Sequence, residues 1–237
     1  MDLDGRIVMV TGASTGIGKE IARALGRAGA RVAICARTRS TLEETAEELA
    51  RDGFEVLAVP ADVSREDEVD RLGARVRDEM GPPDVLVNNA GVACFGRVDE
   101  LTAEDFDDVF DVNVRGLFLC VRAFVPAMIE RGDGVVVNIA SLAGKNAFAG
   151  GSVYAGSKHA VMGMSKSMML DLRQHGVRVI TVCPGSVDTP FFDKVDAMDP
   201  DRDRIVQPED VGELVLEAVR ISDRGTVSEV EIRPVNP

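Results

Sequence analysis

Short apolar runs alternate with longer amphipathic stretches along the whole chain. The short runs, residues 7–11, 32–35, 56–60, 85–87, 135–139, 177–183 and 230–233, are rich in β-branched side chains and lack polar alternation. A strand covered on both faces needs that continuous apolar character. The longer stretches, 18–28, 40–52, 65–80, 103–129, 152–175 and 208–221, carry apolar residues at helical spacing. Strands and helices in turn predict a doubly wound α/β (Rossmann) fold. It has a parallel sheet of about seven strands with helices on both faces. Gly29, Gly53, Gly81, Gly132 and Gly176 each follow a helical stretch where a C-terminal cap belongs.

The 237 residues suit a single domain, 1–237, without repeats or linkers. One stretch, 188–207, breaks the pattern: it is polar and acidic and holds Pro190, Pro200 and the pair Phe191–Phe192. A weakly patterned segment of that length is expected to act as a substrate lid; a surface loop is the plainer alternative. With 27 basic against 40 acidic residues the net charge is −13 at pH 7. That argues against nucleic acid and anionic membranes as partners. Asp2 and Asp4 stand where a secretion signal would be basic, and no apolar run approaches the ~18 residues of a membrane span. A cytoplasmic protein is expected. Cys35, Cys94, Cys120 and Cys183 form no C-x-x-C pair and lie in apolar runs, as reduced core thiols would. With His159 and His175 the only histidines, no metal centre is expected.

Chemistry first enters at Thr11-Gly12-Ala13-Ser14-Thr15-Gly16-Ile17-Gly18, between the first strand and the first helix. Glycines there let a pyrophosphate approach the backbone, and the helix N-terminus offers free N–H groups and a positive dipole end. The spacing G-x-x-x-G-x-G departs from the common G-x-G-x-x-G. The second strand ends Ala36-Arg37, with Arg39 two residues on and no carboxylate between. An NAD site usually places Asp or Glu here for the 2′-hydroxyl; a guanidinium suits a 2′-phosphate. NADP(H) is therefore expected over NAD(H), unless both arginines merely face solvent.

Tyr154, the only tyrosine, and Lys158 share a helix face at i and i+4. An ammonium beside a phenol lowers its pKa and suits it to proton transfer near neutrality. Taken alone, Tyr-x-x-x-Lys also describes an ordinary surface pair. Asn113 falls on an apolar stripe with Phe106, Phe110, Leu117, Cys120 and Phe124, so it needs buried partners. Ser141 follows the fifth strand, at the sheet end where open α/β folds place ligands.

At these residues the sequence resembles the short-chain dehydrogenase/reductase family, over about residues 5–234. The motifs run in the family's order: Thr11 to Gly18, Asp62-Val63, Asn88-Asn89-Ala90-Gly91, Asn113, Ser141, Tyr154 with Lys158, and Pro184-Gly185 running to Thr189. The resemblance implies a Ser-Tyr-Lys-Asn site. Tyr154 would be the general acid or base, Ser141 the partner of the substrate oxygen, and Lys158 the residue that tunes Tyr154 and holds the nicotinamide ribose. Asn113 would hold a relay water. Asp62 and Val63 would contact adenine; Asn89, Ala90 and Gly91 would line its ribose. Val187 would meet the carboxamide and Thr189 a phosphate. Within the family it looks like the 3-oxoacyl-carrier-protein reductase branch, though its ending, Val227 to Pro234, looks more like small hydroxy-acid and serine-type dehydrogenases. The implied substrate is a small carbonyl or alcohol, with Leu142, Phe148, Phe191 and Phe192 as candidate apolar walls. Surplus apolar surface on the helices at 103–129 and 152–175, including Met162, Met164, Met168 and Met169, predicts a homodimer or homotetramer. A non-catalytic dinucleotide-binding sensor or scaffold is the alternative; such a protein would be expected to lose Tyr154, Lys158 or Ser141.

Overall fold

A computed structural model describes residues 1–190, 201–202, 204–222 and 224–235. Among them seven parallel strands form one sheet in the order β3-β2-β1-β4-β5-β6-β7. The strands are β1 Ile7–Thr11, β2 Arg31–Ala36, β3 Val56–Pro60, β4 Val85–Asn88, β5 Gly134–Ile139, β6 Val177–Pro184 and β7 Glu229–Ile232. The helices are α1 Gly16–Arg27, α2 Arg39–Arg51, α3 Glu66–Glu79, α4 Ala103–Phe110, α5 Leu117–Arg131, α6 Ser152–Leu172 and α7 Pro208–Arg220.

The unbroken apolar strands are explained by two cores. Val8, Val10, Val85, Val87, Val135 and Val137 pack under α1, α2 and α7. Met9, Leu86 and Val136 point the other way, under α3, α5 and the end of α6. Successive strand residues alternate between the faces, and both faces are dry. The five helix-ending glycines all adopt positive φ.

The stretch expected to be one helix from 103 to 129 is three pieces. Between α4 and α5, Asp111–Gly116 forms a π-helical turn that contains Asn113. A Cβ on Gly116 would lie 2.8 Å from the Val63 side chain, so this turn can settle against the end of the Val63 loop only with glycine there. The widened turn also rotates the stripe, and Phe106 is exposed, stacked on Phe110, rather than in the core. Taken together, residues 103–131 are apolar and long enough to cross a bilayer by composition alone, but α5 buries Leu119, Cys120, Phe124, Val125 and Met128 against the sheet. Of the cysteines, Cys35, Cys120 and Cys183 are core thiols; Cys94 is only half-buried, in the loop after β4.

Phe191, Phe192 and much of the expected lid lie outside the described residues. The flanking residues are tied together: Val187 bridges to Val206, and Asp188 accepts an ion pair from Arg202 at 2.8 Å.

Candidate active site

A cleft of about 530 Å³ opens between β1 and β4, where the strand order reverses, outside the carboxyl ends of the strands. Gly12, Ser14, Thr15, Gly16 and Ile17 line it after β1, Arg37 after β2, and Asp62 and Val63 after β3. Asn89, Ala90 and Gly91 line it after β4, and Ser141 after β5, facing Tyr154 and Lys158 of α6. Pro184, Gly185, Val187 and Thr189 close it at β6.

The Gly-rich turn is held from three sides. Gly12 has φ 64°, and a Cβ on it would stand 2.7 Å from the Ala90 Cα, so the turn and the β4 loop meet backbone to backbone. Asn89 Nδ2 donates to the carbonyls of Thr11 (2.9 Å) and Gly12 (3.0 Å). The Thr11 hydroxyl accepts from the amides of Asn89 and Ala90. From α2, the buried Thr45 hydroxyl donates to the Ser14 carbonyl at 2.8 Å. Thr15 is the N-cap of α1 but makes no capping bond, which leaves the helix N–H groups turned to the cleft as an anion site. Gly18 does not line the cleft; a Cβ there would run into the Gly12 carbonyl and the Asn89 amide, so its part is close packing. Asp62 lines the cleft while its carboxylate caps the Ser64 amide and hydroxyl at 2.9 and 2.7 Å.

At the other end, Tyr154 sits in the first turn of α6 and Lys158 one turn on. The Ser141 side chain hydrogen-bonds Tyr154 and accepts from the Ala143 amide at 3.1 Å. Lys158 Nζ donates to the Ile139 carbonyl at 3.0 Å and lies 5.9 Å from the Tyr154 ring centre. Burial pushes the Lys158 ammonium down to about 8. Burial also raises the Tyr154 phenol above its ordinary value, against a smaller opposing effect of the Ser141 bond. The lowered phenol expected from the i, i+4 spacing is therefore not found: desolvation outweighs the Ser141 bond.

Asn113 also stands outside the cleft lining. Its side chain accepts from the Val92 amide at 2.8 Å and donates to the Val92 carbonyl at 2.9 Å and to the Ser157 hydroxyl at 3.0 Å. Ser157 in turn donates to the Tyr154 carbonyl at 2.7 Å. A second buried chain runs from Asn88 to Asn138 (2.9 Å) and from Asn138 to Ser165 (2.9 Å), fixing α6 to β4 and β5.

The family model described as short chain dehydrogenase matches residues 6–200. The chain belongs to the short-chain dehydrogenase family. This dehydrogenase is 40% identical, over 90% of its length and 89% of the relative's, to a Streptomyces coelicolor protein named "Putative ketoacyl reductase". It is similar to a metagenomic short-chain oxidoreductase solved with NADP, at 37% identity and a TM-score of 0.88, with 100% of both chains covered. It is also similar to a variant of actinorhodin polyketide ketoreductase solved with NADPH: 35% identity, TM-score 0.90, covering 97% of this chain and 96% of that one.

In this short-chain dehydrogenase the two arginines after β2 part company. Arg37 lines the cleft and has no carboxylate partner among the described residues. Arg39 points away and pairs with Glu43 at 3.2 Å. Thr38, not singled out from the sequence, joins the lining beside Arg37. Ser157 and Thr45 were also missed. Ser157 had a signal, since a serine three residues after Tyr154 can reach back to its carbonyl. Thr45 had none: its partner Ser14 is set by the packing of α2 on the Gly-rich turn.

Proposed function

We propose that the cleft binds NADP(H) and that the protein interconverts a carbonyl compound and a secondary alcohol at Ser141 and Tyr154. The observation that carries this reading is the hydrogen-bonded Ser141–Tyr154 pair at one end of the cleft whose other end presents Arg37. The residues fit the cofactor's parts. The Gly-rich turn that lines the cleft at Gly12 and Gly16 and the uncapped start of α1 suit a pyrophosphate. Arg37 suits the 2′-phosphate. Lys158 and Gly91 line the cleft side by side, where a ribose would meet the ammonium. NADP and NADPH in the two similar structures support the choice of nucleotide.

When bound, NADPH supplies a hydride to the carbonyl carbon. The two hydroxyls, Ser141 and Tyr154, hold the carbonyl oxygen. Tyr154 keeps its proton at neutral pH because its phenol is buried, and it gives that proton to the oxygen as negative charge develops there. In the reverse direction the Tyr154 phenolate would take the alcohol proton, with the hydride passing to the oxidised cofactor when bound. Lys158 is mostly charged at neutral pH and steadies the phenolate that remains. Asn113 and Ser157 fix the turn that carries Tyr154. The test is a panel of ketones with the purified protein, following NADPH absorbance. NADPH binding with turnover of at least one ketone is expected; binding without turnover of any would support the sensor alternative instead.

A further inference from the structure

Two rings stand beside the reacting end of the cleft. Phe95, in the loop after β4, meets the Tyr154 ring edge-on, with centroids 5.6 Å apart and planes at 62°. Phe148, in the loop that follows Ser141, lies 5.9 Å from Phe95. The two loops are joined by backbone, the Gly96 amide donating to the Gly150 carbonyl at 2.9 Å. Both phenylalanines are half-buried rather than sealed in a core. Two rings from two joined loops thus form an aromatic wall that ends on the Tyr154 ring of α6.

Among the described residues, no unpaired cation lines the same end. Among the described residues that line the cleft, the basic ones are Arg37 and Lys158. Arg37 belongs to the opposite end, and Lys158 is buried with its ammonium on the Ile139 carbonyl. Lys145, on the Ser141 loop, is engaged by Glu229 and Glu231. A carboxylate-bearing substrate would find no counter-ion there among the described residues, and its burial would carry a desolvation cost. An aryl group would meet ring edges and faces suited to offset or edge-to-face contact.

Resting on the proposed reductase reading, we infer that Phe95 and Phe148 are specificity-determining residues that select neutral ketones bearing an aromatic group, and that small keto acids are poor substrates. This narrows the two branches that the sequence resembles and turns away from the hydroxy-acid one.

The test compares 4-phenyl-2-butanone, 2-butanone and acetoacetate with NADPH, in the wild-type protein and in Phe95→Ala, Phe95→Leu and Phe148→Ala. The phenyl ketone is expected to exceed both others in kcat/KM by at least about tenfold, the scale on which apolar pockets discriminate. Each substitution is expected to shrink the ratio of phenyl ketone to butanone toward one. Phe95→Leu keeps an apolar side chain and guards against misfolding. If loss of Phe95 only loosens Tyr154, both ketones fall together and the ratio stands; that result overturns the inference, as does acetoacetate proving the best substrate. Turnover of butanone without any aryl preference overturns the inference but leaves the reductase reading intact. No turnover of any carbonyl by a protein that binds NADPH overturns both.

Discussion

The Asn113 side-chain amide donates to the Ser157 hydroxyl at 3.0 Å, and by that bond the π-helical turn before α5 reaches the helix that carries Tyr154. Every polar atom of the Asn113 side chain is used inside the protein. We propose that it acts through position; its Oδ1 accepts one bond and keeps a second lone pair for the relay water that the family resemblance implies. Asn113→Ala leaves the buried Ser157 hydroxyl and the Val92 backbone short of partners, at about 1–3 kcal/mol. A lower melting temperature together with a reduced kcat is expected, with NADPH affinity nearly kept. Thermal melts and cofactor titration check it; full activity in a destabilised variant would reduce Asn113 to a packing amide.

Tyr154→Phe keeps the ring, its contact with Phe95 and the helix, and removes only the proton donor. A loss of at least about a hundredfold in kcat is expected, in the range of a lost general acid, with NADPH binding unchanged. Steady-state rates beside a fluorescence titration decide it.

Lys158 gives a pH-dependent stability. Burial lowers its folded value to about 8 from an ordinary 10.5. Between those values the unfolded chain binds a proton that the fold does not, so stability rises with pH across that interval. The cost of holding the ammonium is present in full below about 8 and is gone above about 10.5. Lys158→Met, in the cofactor-free protein, is expected to be more stable than wild type at pH 7 by up to about 3 kcal/mol, less about 1 kcal/mol for the lost bond to Ile139. Denaturant titrations at pH 7, 9 and 10.5 should show the gap closing; a constant gap would mean that Lys158 is not the titrating group.

Among the described residues that line the cleft, Arg37 has no carboxylate partner, and a charge-assisted bond contributes about 1.5–3 kcal/mol. The wild-type kcat/KM is therefore expected to favour NADPH over NADH by at least about tenfold. Arg37→Ala should remove most of that preference and leave NADH kinetics close to wild type, and added salt should narrow it. Equal efficiency with NADH in the wild type would place Arg37 among ordinary surface arginines.

Phe106, Phe118 and Leu170 are 45%, 47% and 57% exposed on α4, α5 and α6. That apolar surface is expected to be covered by a second copy of the chain, giving a dimer or tetramer. Light scattering at micromolar concentration checks the mass; a 25.4 kDa particle would exclude self-association.

The strands and helices were legible because strands buried on both faces leave unbroken β-branched runs. Val8 and Val10 serve one core and Met9 the other, so successive positions are apolar. The cleft was legible because its chemistry sits in short motifs at strand ends, as at Gly12 and Ser141, and in the first turn of a helix, as at Tyr154. Three things were not legible. The π turn at Asp111–Gly116 has no periodic signature, since one added residue shifts a stripe without erasing it. The partnership of Thr45 with Ser14 spans elements whose contact only packing determines. The balance at Tyr154 depends on burial, which neighbouring residues in sequence do not report.

The clasp of Asn89 on Thr11 and Gly12 bears on how the molecule is made. It joins the ends of β1 and β4, which are adjacent in the sheet but separated in sequence by three helices and two strands. The Gly-rich turn thus takes its final form only after β4 has been inserted beside β1, and the cleft also needs β5, β6 and α6. A nascent or truncated chain that has completed the first half of the sheet can own every residue of the Gly-rich turn and still lack the surface that grips a nucleotide. Nucleotide affinity during refolding is then a late event, tracking closure of the β1–β4 seam rather than collapse of the N-terminal half.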